Sequence, residues 1–209
     1  AGARVVAWEL DASWAVELRR RARHEGLAIV VGDALAIPWS VLPRGFLVAG
    51  NLPYQVGTTI LRAMLTSGEG VPRAAFLLQR EVVDRIVAGP GSKAYGAFSV
   101  EVAARARARL LGRVRPGSFR PPPRVESAFV GLERHPPPIP EAEMPAFLRV
   151  VYLAFSQRRK TLRNALGGGW GRERAEMALR EAAIDPGARA ESLPLKAFVS
   201  LYRAFTALP

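Results

Sequence analysis

The sequence predicts an α/β chain: a mostly parallel sheet with helices packed on it, followed by a small region built from helices alone. Three observations carry that expectation. Through the first 130 residues, short apolar runs alternate with helical stretches, the pattern of a parallel sheet covered on both faces. A stiff proline-rich joint, HPPPIP at 135–140, then interrupts the chain, as a linker would. Beyond it no strand-like alternation occurs, and Leu195, Phe198, Tyr202 and Phe205 recur at spacings of three and four, one apolar stripe on a helix. The expected domains are therefore residues 1–135 and 141–209.

Taken in order, Arg4–Leu10 is β-branched and apolar and reads as a strand, and Asp11 opens a helical run over Ala12–His24. Leu27–Val31 (LAIVV) is a second buried strand, ended by Gly32-Asp33. Phe46–Gly50 (FLVAG) is a third, leading through Asn51–Tyr54 to a helix near Thr58–Leu65. Ala74–Leu78 is a fourth, running into a helix over Glu81–Val87. A helix near Ala97–Ala106 precedes two extended segments, Arg107–Val114 and Glu126–Glu133. With no helix between them, these two are expected to pair as an antiparallel hairpin at the sheet edge.

Composition bounds the function. At 209 residues the chain suits one or two domains. With 49% hydrophobic and 23% charged residues it is not a disordered chain. The absence of cysteine excludes disulfide scaffolds, cysteine-ligated zinc and thiol nucleophiles, and fits a reducing, cytoplasmic setting. No apolar run reaches the roughly 18–20 residues of a membrane span, and no secretory signal opens the sequence. The formal charge is +12, and all but three of the 30 basic residues (Lys93, Lys160, Lys196) are arginine. Arginine's planar fork suits phosphate and stacks on bases, although a general preference for arginine over lysine would give the same excess. The distribution is more telling. Residues 1–60 carry six basic and five acidic side chains, while 101–209 carry 19 against ten. Such a lopsided field is an electrostatic footprint for a polyanion.

Four segments carry candidate chemistry. Asn51-Leu52-Pro53-Tyr54 follows an apolar strand at the carboxyl edge of the sheet, where open α/β folds place their sites. The group suits methyl transfer to an exocyclic amine. The Asn51 amide oxygen and the Leu52 carbonyl can accept the two N–H bonds and favour a pyramidal nitrogen, Pro53 fixes the turn, and Tyr54 offers an aromatic face for an extruded base. An ordinary Asn-x-Pro turn with a packed tyrosine is the plainer alternative. Glu9, ending the first strand, can accept two ribose hydroxyls or merely serve a helix cap with Asp11. Asp33 can accept from an adenine amine, or simply complete a Gly-Asp turn. Phe119, in FRPPPRVES at 119–127, can wall a base-binding slot, or be the buried residue of a proline-rich edge loop. SQRRKTLR at 156–163 clusters Arg158, Arg159, Lys160 and Arg163 on an expected helix start, either as a phosphate clamp or as a solvated face. GGGWG at 167–171 follows no strand and reads as a flexible helix connection, and GPGSKAYG at 89–96 lacks P-loop spacing. His24 and His135 have no partners at triad or metal spacing and are expected at the surface. No metal site is expected.

NLPY at 51–54, LQREVVDRIVAGPGSKAYG at 78–96, FRPPPRVESAFV at 119–130 and FSQRRKTLRNAL at 155–166 together resemble the KsgA family, the small-subunit rRNA adenine N6,N6-dimethyltransferases. The resemblance runs from about Arg4 to the C-terminus. It implies a Rossmann-like, S-adenosylmethionine-dependent methyltransferase domain and a helical, arginine-rich domain that docks on rRNA of the immature small subunit. It also implies a monomer that dimethylates two adjacent adenines near the 3′ end. By the same resemblance Glu9 binds the cofactor ribose, Asp33 contacts its adenine, Asn51 lies near the methyl-transfer point, and Tyr54 and Phe119 flank the target base. The first strand of such a fold and its glycine-rich turn have no counterpart in the sequence, so weak or absent cofactor binding, and with it an inactive chain, is the expectation. A resistance-type large-subunit rRNA methyltransferase, an N6-adenine DNA methyltransferase and a non-catalytic RNA-binding assembly factor are the alternatives. The 78–96 segment argues against the first two.

Overall fold

The computed structural model describes residues 2–22, 25–67 and 70–208; the expectation for His24 lies outside them. The chain divides into two compact units, one formed by Ala1–Phe46 and Leu52–Gly70, the other by Leu47–Asn51 and Val71–Pro209.

In the first unit, β1 (Val5–Glu9) and β2 (Leu27–Val31) pair in parallel with Val5 opposite Leu27 and Glu9 opposite Val31. Each carries two valines, and β2 adds Ile29, β-branched residues that suit the pleated surface. The crossover is α1 (Ala12–Arg21), shorter than the helix expected to His24. Asp11 caps it, its Oδ1 accepting from the amides of Ser13 at 2.7 Å and Trp14 at 3.4 Å, an N-cap arrangement. The Ser13 hydroxyl and amide hold the Asp11 carboxyl below the usual range. Arg19, Arg20 and Arg21 occupy the last turn, where cations complement the helix dipole. Single 3-10 turns at Ala34–Ala36 and Trp39–Val41 lead on. α2 (Gly57–Ser67) buries Ile60, Leu61, Met64 and Leu65, one face at helical spacing.

In the second unit the strands run in the order β3 (Leu47–Asn51), β4 (Arg73–Gln79), β6 (Ser127–Arg134), β5 (Ala106–Val114). β3 and β4 are parallel, while β6 lies antiparallel to β4 on one side and to β5 on the other. The expected hairpin is thus present, with β5 at the edge. Ala74, Phe76 and Leu78 alternate on one face and meet Leu132, Val130 and Ala128 across the ladder, all six buried. α3 (Arg80–Val87) packs on β5 and β6, and α4 (Ala97–Ala103) packs on β5 and α3. The other face departs from the expectation of cover on both sides: Leu47 is 68% and Phe129 41% exposed.

The helices α5 (Met144–Ala154), α6 (Leu162–Trp170), α7 (Arg172–Glu181) and α8 (Leu195–Ala207) close around Phe147, Leu162, Leu166, Leu179, Phe198 and Leu201. Phe147 meets Tyr202 edge-on at 5.9 Å, and Phe155 stacks on Phe198 at 5.6 Å. Two readings of this region are corrected. Gly167–Gly169 are helical, part of α6, and only Gly171, at φ 84°, breaks the helix. A Cβ at position 169 would come within 2.7 Å of Leu153, so glycine there permits close packing of α6 on α5. The cations of SQRRK precede rather than begin a helix, because α6 starts at Leu162. His135 is half-buried, its ring nitrogens 2.9 Å from the Pro136 carbonyl oxygen and 3.1 Å from that of Ala103. Among the described residues, no helix is long and apolar enough to cross a membrane.

Candidate functional site

The candidate residues fall on both units, and each unit gathers its own subset. In the first, the β1–β2 register puts Glu9 beside Val31, so Glu9 and Asp33 sit at the carboxyl ends of neighbouring parallel strands. The Gly32 amide donates to the Glu9 carbonyl at 2.9 Å, joining the two ends. One oxygen of the Glu9 side chain accepts the Asp11 amide at 2.9 Å, and Asp33 Oδ1 caps the following turn through the Leu35 amide at 2.9 Å. A carboxylate has two oxygens and about four lone-pair sites. Both acids therefore keep acceptor capacity while their backbones are fixed, an acceptor set that fits the hydroxyls and amine of an adenosine group. A Cβ on Gly32 would lie 3.2 Å from the Trp8 indole nitrogen, so the turn between the acids runs close under that ring.

Leu52, Pro53 and Tyr54 also belong to the first unit. Leu52 is buried, and the Pro53 carbonyl accepts the amides of Val56 at 3.2 Å and Gly57 at 2.8 Å, turning the chain into α2. The motif is thus held by an anchored apolar side chain, a locked φ and two backbone hydrogen bonds. Asn51, covalently joined to Leu52, is the last residue of β3 and lies opposite Leu77 of β4 in the second unit.

The second unit brings Phe119 to that same sheet edge. Val114 at the end of β5 and Gln79 at the end of β4 both register with Ser127, so the segment between β5 and β6 leaves and returns where β3 delivers Asn51. Phe119 is half-buried and follows a 3-10 turn at Pro116–Ser118, its amide donating to Pro116 at 3.1 Å.

The candidate cations differ in state. Arg158 donates to the Lys93 carbonyl at 2.7 Å and lies 3.5 Å from Glu191. Arg163 lies 3.7 Å from Glu176. Arg159 and Lys160 are exposed. Arg158 and Lys160 line a cleft of about 570 Å³ together with Arg85, Lys93, Asp84 and Glu191. Sequence reasoning did not single out Arg85 or Lys93 as cations of this cluster, although both fall in the distinctive 78–96 segment. Nor did it find the ion pair of Arg80 with Glu126, 46 positions apart at 2.6 Å.

Comparison with known proteins places these features in a family. The profile of the ribosomal RNA adenine dimethylase family matches residues 2–207. The chain is 42% identical to the ribosomal RNA small subunit methyltransferase A of Acidithiobacillus ferrooxidans, an alignment covering 94% of this chain and 73% of that protein. Relatives of the same name from Synechococcus and Bordetella bronchiseptica are each 41% identical, covering 96% and 97% of this chain and 73% and 76% of theirs. Among solved structures, a dimethyladenosine transferase from Plasmodium falciparum superposes with a TM-score of 0.78 at 18% identity, over 95% of this chain and 80% of that one. The 23S rRNA methyltransferase ErmE superposes with a TM-score of 0.73 at 22% identity, over 97% and 82%. These structural likenesses show a shared Rossmann-like methyltransferase fold. With a profile spanning almost every residue and relatives above 40% identity, the chain belongs to the ribosomal RNA adenine dimethylase family.

Proposed function

We propose that this chain transfers methyl groups from S-adenosylmethionine to N6 of two adjacent adenines near the 3′ end of small-subunit rRNA, acting as a monomer on the immature subunit. The observation that carries the proposal is the Asn51–Tyr54 turn, leaving the carboxyl end of β3 and closed into α2 by the Pro53 carbonyl. The identity of the relatives named small subunit methyltransferase A supports the choice of subunit.

In this reading Glu9 accepts the cofactor's ribose hydroxyls and Asp33 its adenine amine. When bound, the cofactor supplies an electrophilic methyl carbon on a sulfonium. The Asn51 amide oxygen and the Leu52 carbonyl accept the two N6–H bonds of the target adenine and favour the pyramidal nitrogen whose lone pair attacks that carbon. On bound cofactor the sulfonium sulfur would be the leaving group and would keep the bonding pair. No strong base is required, because the positive charge developing on N6 meets fixed dipoles and the proton leaves afterwards. Tyr54 and Phe119 stack on the extruded base. Residues 141–209 form the docking domain, with Arg158, Arg159, Lys160 and Arg163 at phosphates, and the reducing cytoplasm is the setting.

The test is Asn51→Ala. It should abolish methyl transfer to immature small subunits while leaving affinity for the same RNA within about twofold, since phosphate contacts dominate affinity. Loss of methylation and affinity together would overturn the assignment and make Asn51 structural.

A further inference from the structure

We infer that Arg80 and Glu126 form a clasp that positions the proline-stiffened loop carrying Phe119, and that this clasp sets the rate of methyl transfer without contributing to RNA affinity. The inference rests on the proposed function, in which Phe119 flanks the target base.

The β4–β6 ladder ends at Gln79 opposite Ser127, and one further step beyond it the Arg80 amide donates to the Glu126 carbonyl at 2.9 Å. The side chains close over that bond, Arg80 Nη1 donating to Glu126 Oε2 at 2.6 Å. Asp84, one turn along α3, lies 3.5 Å from Arg80 Nε and steadies the guanidinium from its own helix. Each backbone of the pair is thereby fixed twice.

What the clasp holds is an arm. Pro121, Pro122 and Pro123 have locked φ and no amide hydrogen, so the segment from Phe119 to Glu126 has few internal rotations. Fixing Glu126 fixes the direction of Phe119, whose own end is tied by its amide to Pro116 at 3.1 Å. Nothing else on α3 reaches this loop by an ion pair among the described residues. The two side chains are 42% and 44% exposed. Such a pair is weak, so losing it should loosen the loop rather than unfold the chain. Arg80 therefore acts as a positioning residue: it meets the reaction through Phe119.

The test uses the full chain as wild type, Arg80→Ala, Arg80→Lys, Arg80→Glu and the exchanged pair Arg80→Glu with Glu126→Arg. Two readouts are taken: kcat and KM for immature small subunits, and amide hydrogen exchange across residues 115–126. Arg80→Ala should lower kcat about two- to fivefold, the scale of an exposed ion pair. KM and the salt slope of RNA binding should not change, and exchange over 115–126 should quicken. Arg80→Lys and the exchanged pair should recover most of both, while Arg80→Glu should be the slowest variant. Unchanged kcat and unchanged exchange in Arg80→Ala would overturn the inference. So would a raised KM with a shallower salt slope and no recovery in the exchanged pair, because Arg80 would then be a phosphate ligand. If the wild type transfers no methyl to small subunits while S-adenosylmethionine is bound, the proposed function fails. The exchange data still decide the clasp, and identical exchange in wild type and Arg80→Ala would sink it.

Discussion

The sheet of β1 and β2 and the sheet of β3 to β6 are made from comparably apolar strands, yet they bury them very differently. Val5, Val6 and Val31 remain 49%, 64% and 56% exposed, whereas Phe76 and Val130 are at 1% or less. In the first unit the buried side chains are chiefly the inward face of α2 with Ala15, Trp39 and Leu52; in the second they include one face of β4 and β6 and a cluster that spans α4 and all four C-terminal helices. The contrast separates two properties that a hydropathy profile merges. An apolar strand is stabilised by what covers it, and the unit bearing Glu9 and Asp33 has little cover, while the unit bearing Phe119 and the cations has the larger buried core.

Removing apolar volume should affect the two units very differently. Phe147→Ala, at a side chain with no exposure, should destabilise the second unit by about 3–5 kcal/mol in urea melts. Val6→Ser, at a side chain 64% exposed, should change stability by no more than about 0.5 kcal/mol. Equal losses would mean that β1 is covered in solution.

A smaller effect belongs to the buried ion pair joining the strands to the helices. Arg105 is 3% exposed and donates to both oxygens of Glu141, at 3.2 and 3.0 Å. Glu141→Gln leaves that guanidinium without its countercharge. Because Glu141 keeps 32% exposure, the loss in chemical melts should fall near 2 kcal/mol, below the roughly 3–5 kcal/mol of a fully buried pair. A neutral result would show that Arg105 finds water or another acceptor.

The smallest effect is a pH dependence confined to the second unit. Burial pushes the Tyr95 phenol up to about 12, while its hydroxyl donates to the Leu193 carbonyl at 2.7 Å. The unfolded phenol ionises near pH 10, so the stability it contributes is complete below that pH and is lost as pH rises toward 12. Tyr95→Phe should cost about 1 kcal/mol at neutral pH from the lost hydrogen bond and flatten the alkaline fall in melting temperature. A melting curve with the same slope above pH 10 in the variant would remove Tyr95 from the account.

Much of this organisation was legible in the sequence because it depends on local pattern. Leu27–Val31 is a strand as read, the α8 stripe is a helix, and the missing helix between Val114 and Ser127 gave the hairpin. The failures are tertiary. Three glycines at 167–169 look like a connection by propensity, but the helix continues through them and the bare backbone at 169 seats the Leu153 side chain, which a Cβ would push aside. Arg158 is drawn into a loop by the Lys93 carbonyl, a contact no spacing reveals. For the candidate site, the Asn51–Tyr54 turn could be read from its chemistry and its position after a strand. The Arg80–Glu126 pair could not, because its partners meet only through the β4–β6 register.

Methyl transfer to small-subunit rRNA is tested by incubating the chain with methyl-labelled S-adenosylmethionine and, separately, immature small subunits, large-subunit rRNA and duplex DNA, then identifying the modified nucleosides. The predicted result is N6,N6-dimethyladenosine at two adjacent positions near the 3′ end of the small-subunit rRNA, and none in the other two substrates. Label confined to large-subunit rRNA or to DNA, or no label on small subunits when both the subunit and S-adenosylmethionine are demonstrably bound, would contradict it.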